Sequence, residues 1–166
     1  MTFKPTNAVL PLLFSFMALS CRHQPEELSA GQYFGVRDSV TQMADRIARD
    51  VSRRGPVAWL SYFENSPDFF MASEGVLAFP DYDSAKNAIQ QTLVKSMSNI
   101  RLQWSNIKVD PLTERLAGMG AGFHEDITYS SGKKVSQDGY FTAIAEKSYK
   151  GWLLRNAHWS VPVAAR

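Results

Sequence analysis

The 166-residue sequence predicts an α+β fold in which helices come first and cover one face of a curved antiparallel sheet. Three observations predict it. Apolar residues between 36 and 97 recur at spacings of three and four, the period of a helix with one buried stripe. From Asn99 onward the period changes to two, the period of a strand. Turn-forming pairs such as Ser131-Gly132 and Lys150-Gly151 separate the late segments at strand lengths. Helices followed by strands, rather than alternating with them, is the α+β order.

Taken from the N-terminus, residues 1–20 read as a secretory signal peptide. One positive charge (Lys4) precedes an apolar run from Ala8 to Leu19, and no acid interrupts it. The run is too short for a membrane span. Residues 21–35 read as a polar tether, and 36–162 as the folded domain. Val36, Val40, Met43, Ile47 and Val51 make one helical stripe, which Gly55 ends. Pro56 can open a short second helix that carries Trp59, Leu60 and Phe63. "FFMAS" and "VLAF" form a hairpin across Glu74-Gly75. Asp81 or Asp83 caps a third helix whose stripe is Ala85, Ile89, Leu93 and Met97. Long strands then follow, and the last is "WLLRNAHWSV".

Composition removes several function classes. Lys+Arg number 18 and Asp+Glu 16, so no basic footprint marks a nucleic-acid partner. Arg46, Arg49, Arg53 and Arg54 are interleaved with Asp45 and Asp50, as on a solvated helix face. The chain has three histidines, one of them (His23) in the tether, which argues against a histidine-rich metal site. There is no Gly-rich phosphate loop and no nucleophile elbow. No cofactor is implied. Cys21 is the lone cysteine, so no disulfide can form within the chain. Its place at the end of the apolar leader resembles a bacterial lipobox. That resemblance implies lipidation at Cys21 and anchoring in the bacterial cell envelope, or a periplasmic or secreted protein if Cys21 is not lipidated.

The order of these elements, with "YFENSPDFFMASEGVLAF" and the closing "GYFTAIAEKSYKGWLLRNAHWS", resembles the nuclear-transport-factor-2-like superfamily over residues 36–162. Within it the polyketide-cyclase (SnoaL)-like domains are most similar. The resemblance implies a cone: a bent sheet wrapped around three N-terminal helices, with a pocket at the open end and frequent dimers. Members include cyclases, isomerases, dehydratases and proteins that only bind, so the fold leaves function open.

With Lys150-Gly151 taken as a two-residue loop, Glu146 opposes Arg155, Ala145 opposes Asn156 and Ala143 opposes His158. One sheet face then holds Phe141, Ala143, Ala145, Asn156, His158 and Ser160, extended by Gly118, Gly120, Gly122 and His124. The other holds Trp159, Tyr140 and Phe123. The family resemblance assigns the face with His158 to the pocket. The expected site is therefore His158 as acid–base candidate, with Asn156, Trp59, Tyr62 and Trp104 as ligand-binding residues. The bulky face is left to a second subunit, giving a homodimer. His124-Glu125-Asp126 reads as an exposed strand end. Three functions follow: an exported domain binding a small apolar molecule, an enzyme of the cyclase, isomerase or dehydratase kind with His158 as base, and a dimerisation scaffold with a vestigial pocket.

Overall fold

The computed structural model describes residues 27–162. The signal peptide and residues 21–26 of the tether, Cys21 among them, lie outside the described residues. The long helix α1 (Ala30–Arg54) begins earlier than its apolar stripe suggests. Ser29 caps it, its hydroxyl accepting from the Gln32 backbone N–H while the Gln32 side chain accepts from Ser29 N–H. Residues 30–35 of the expected tether are thus helical: a polar capping box starts the helix a turn and a half before the first buried residue. Val36, Val40, Met43, Ile47 and Val51 are buried as the spacing requires. Gly55, at φ 73°, ends the helix in a conformation that favours glycine. Pro56 then opens a 3-10 helix (Pro56–Ser61).

β1 (Phe70–Ser73) and β2 (Val76–Phe79) form the short hairpin across Glu74 and Gly75, both at positive φ. Asp81 caps α2 (Tyr82–Ala88), its carboxylate accepting from Ser84 N–H at 2.7 Å. The helix widens into a π turn over Ile89–Leu93 and ends as α3 (Val94–Ser96). Four long strands complete the chain: β3 (Met97–Pro111), β4 (Leu116–Tyr129), β5 (Lys134–Ser148) and β6 (Gly151–Ser160).

The six strands form one sheet in the order β2-β1-β6-β5-β4-β3. It is antiparallel except where β1 joins β6 in parallel. Irregularities in β3 near Asn106 and in β6 near Arg155 help the sheet bend. α1 lies in the concave face against β3. Ser52 Oγ accepts from Leu102 N–H at 2.9 Å and Trp104 Nε1 donates to the Ala44 carbonyl at 2.8 Å. The core fills the space between, around Met43, Ile47, Phe69, Phe141 and Leu154.

The face assignment differs from the sequence reading on two strands. The β5–β6 loop is Tyr149-Lys150, with Ser148 opposite Gly151, one residue earlier than expected. A bulge at Arg155 of β6, facing the Ile144–Ala145 step of β5, then sets Ala145 opposite Leu154 but Ile144 opposite Asn156. Inward residues on β6 are therefore Trp152 and Leu154 before the bulge, and Ala157 and Trp159 after it. Asn156 is half-buried and His158 exposed on the outer face. On β4 the inward set is Ala117, Met119, Ala121, Phe123 and Ile127, so the glycines and His124 face out. Phe141, Ala143 and Ala145 do point inward as expected. Phe123 and Trp159 of the bulky face thus point inward while Tyr140 is exposed, and the argument for a dimer built on that face as a whole loses its basis. Arg155 still meets Glu146, at 2.8 Å, although Leu153 is the residue directly opposite.

Candidate functional site

Between the concave sheet and the elements that precede it lies a cavity of about 300 Å³. Trp59 and Phe63, from the 3-10 helix and the residues after it, form one wall. The β1–β2 hairpin adds Met71 and Phe79, and the π turn adds Ile89 and Leu93. Ile100, Leu102, Ile127 and Trp159 supply the sheet side. Trp159 is held there by stacking on Phe123, with ring centroids 3.8 Å apart, and by an edge-on contact to Trp59 at 5.8 Å.

One ionisable side chain, Glu125, lies on this wall among the described residues, and the lining is apolar apart from it and Ser73. It sits on β4 between Phe123 and Ile127, opposite Leu102 on β3 and Gln137 on β5. It is 5% exposed and is the one buried charged residue among those described. Gln137 Nε2 donates to its Oε1. Burial pushes the Glu125 carboxyl above its ordinary value; the Gln137 hydrogen bond and the His124 charge oppose the shift without cancelling it. Such a carboxyl can donate a hydrogen bond while neutral, accept one while ionised, or carry a proton between the two states.

Its neighbours on the strand point the other way. His124 Nδ1 lies 2.9 Å from Asp138, and Asp126 accepts from Ser136 at 2.7 Å, both on the outer face. The hydrogen bond with Asp138 raises the His124 pKa. Among the described residues no group of three or more His, Cys, Asp or Glu is arranged to hold a metal ion.

Of the expected ligand-binding residues, Trp59 is on the cavity wall. Trp104 stands behind it, its ring 6.5 Å from Trp59 and its indole N–H spent on Ala44. Tyr62 is buried away from the cavity and donates to Asp50 at 2.7 Å. Burial and that carboxylate push its hydroxyl up to about 12. Asn156 and His158 are off the cavity altogether, across the sheet. His158 therefore does not line the cone. Glu125 is the residue that sequence reasoning missed. The signal was present: Ala117, Met119, Ala121, Phe123 and Ile127 alternate as an inward stripe, and Glu125 falls in that register.

No family model matches the chain, and no curated protein matches it. Solved structures do. A nuclear-transport-factor-2-like superfamily protein from Salmonella enterica serovar Typhimurium LT2 aligns with TM-score 0.68 and 17% identity over 80% of this chain and 95% of its own. A hexachlorocyclohexane dehydrochlorinase, LinA-type3, from Novosphingobium barchaimii LL02 aligns with TM-score 0.65 and 10% identity over 83% of this chain and 97% of its own. An NTF-2-like protein of unknown function from Shewanella oneidensis MR-1 gives TM-score 0.56 and 17% identity over 74% and 97%. The fold of the chain is that of the nuclear-transport-factor-2-like cone.

Proposed function

We propose that this protein binds a small apolar molecule in its cone, with the Glu125 carboxyl as the buried group that makes a directional polar contact. The observation that carries this reading is a single buried carboxyl on the wall of a cavity of about 300 Å³ that is apolar apart from it and Ser73. Ligand sites typically combine a hydrophobic lining with a few placed polar groups, and this volume stands at the small end of their range. A molecule of up to about three rings suits it. The order of elements supports placing the chain with the polyketide-cyclase-like domains.

The test uses N-phenyl-1-naphthylamine, a neutral dye that fluoresces in apolar surroundings. The folded protein is expected to bind it. Ala78→Trp is expected to weaken binding roughly tenfold, because Ala78 lies on the cavity wall but is itself exposed, so an indole there obstructs the cavity without overpacking the core. Dye binding that is absent, or indifferent to Ala78→Trp, overturns the reading.

A second reading makes the protein an enzyme with Glu125 as general acid or base. The raised carboxyl pKa supports it, since an acid shifted toward neutrality is better matched to proton transfer. A fold neighbour named for hexachlorocyclohexane, an apolar ring, adds to that support. On this reading the wild type, but not Glu125→Gln, catalyses solvent-hydrogen exchange next to the carbonyl of a small apolar ketone.

Export and anchoring through Cys21 belong to the same proposal, on the strength of the apolar leader. The homodimer belongs to the proposal on the family resemblance alone, because Trp159 and Phe123 face inward. Its test is sedimentation of residues 22–166, where a single monomeric species at high protein concentration removes it.

A further inference from the structure

The apolar cavity has a charged neighbour. Pro56, Met97 and Ile100 of its wall also line a second hollow, of about 220 Å³. Ser52, Arg53 and Arg54, at the C-terminal end of α1, and Ser98 and Asn99, at the start of β3, supply the polar lining of that hollow. A groove of about 540 Å³ continues from it along α1, sharing Arg53 and Asn99 and adding Arg49 and Arg101. All four arginines are exposed. The acid among them is Asp50, which is already committed: it pairs with Arg53 at 3.0 Å and accepts the Tyr62 hydroxyl at 2.7 Å. Asp126 lies across the ladder from Arg101, and Asp45 stands one turn before Arg49 on α1. Four guanidinium groups thus outnumber the three carboxylates beside them, next to a cavity whose own ionisable group is an acid.

From this arrangement we infer that the ligand of the cone is an amphiphilic anion. Its apolar body sits against Trp59 and Ile127, and its carboxylate, sulfonate or phosphate group lies in the adjoining hollow on Arg53 and Arg54. The inference rests on the ligand-binding reading above and names the class of ligand. Two forces set the orientation. Inside the cone an anion loses its hydration and meets Glu125, a group of like sign when ionised. In the hollow it gains charge-assisted hydrogen bonds from planar guanidinium forks that suit such oxyanions.

Two dyes with the same ring system separate the ideas. N-phenyl-1-naphthylamine is neutral, and 8-anilino-1-naphthalenesulfonate carries one sulfonate on the same scaffold. At low ionic strength the sulfonate dye is expected to bind roughly tenfold more tightly, to displace the neutral dye, and to lose most of its advantage at high salt. In the double variant Arg53→Gln/Arg54→Gln the ratio of the two affinities is expected to fall toward one. Both positions are exposed, and a melting curve confirms that the variant folds. If the two dyes bind the wild type equally, or the ratio survives in the variant, the inference is overturned and the ligand-binding reading stands. If neither dye binds, both are overturned.

Discussion

Glu125 occupies a strand position that its neighbours Phe123 and Ile127 give to the interior. A buried carboxyl costs stability when ionised, and the sign of the effect follows from the direction of its shift. Its folded-state pKa is raised above the ordinary 4.5. The stability is therefore full below that value and falls as pH rises through the folded pKa. Glu125→Gln keeps an acceptor for Gln137 and removes the charge. The variant is expected to melt close to wild type near the ordinary carboxyl pKa, and above it at alkaline pH. A difference of a few degrees is expected, since about 1 kcal/mol moves Tm by roughly 2–4 °C in a domain of this size. Thermal melts of both proteins across pH check this. A wild-type curve that runs parallel to the variant would mean that the carboxyl is hydrated. At this scale the sequence was legible in part: the register of Glu125 was visible, but its burial depends on β3 and β5 flanking it.

At the scale of elements, the β4–β5 pair shows how tightly the cone wall is fitted. Gly139 lies opposite Phe123, and the Phe123 ring crosses it to stack on Trp159. A Cβ at residue 139 would stand 2.2 Å from both Phe123 Cζ and the Ser160 carbonyl oxygen. The ring can rotate away, at the expense of the Trp159 stack, but the backbone oxygen cannot without moving β6. Gly139→Ala is therefore expected to destabilise by about 1–3 kcal/mol, as overpacking does. It should also weaken the near-ultraviolet dichroism of the Phe123–Trp159 pair. Unchanged melting would show that β6 shifts freely. The bulge beside Arg155 acts on the same strand. It moves one residue out of alternation, so Leu154 and Ala157 both face the core and His158 is turned out.

The whole molecule places an apolar cone, a single buried acid and an arginine-lined hollow at one end of α1. If Cys21 carries a lipid, a short segment joins the anchor to Ser29, where the folded domain begins. Membrane fractionation then separates wild type from Cys21→Ser: the first is expected in the membrane fraction and the second in the soluble periplasm. Equal distribution of the two would remove the anchor and leave the cone reading untouched.

The order and kind of the elements were determined by the sequence alone, because the signals that set them are local. The Val36–Val51 stripe, the Gly55-Pro56 break, the Asp81 cap and the alternation in β4 each depend on residues a few positions apart. The face that looks inward was decided only in the tertiary structure. Side-chain parity in a strand has a period of two, so one residue of difference in the Tyr149-Lys150 loop or at the Arg155 bulge exchanges the faces. Which exchange is stable is settled by α1 and the 3-10 helix, which cover Trp159, Phe141 and Phe123 and leave His158 to the outside. Pairing over such distances carries no local mark. For that reason the acid of the site could be seen in the sequence as a residue but not as a site.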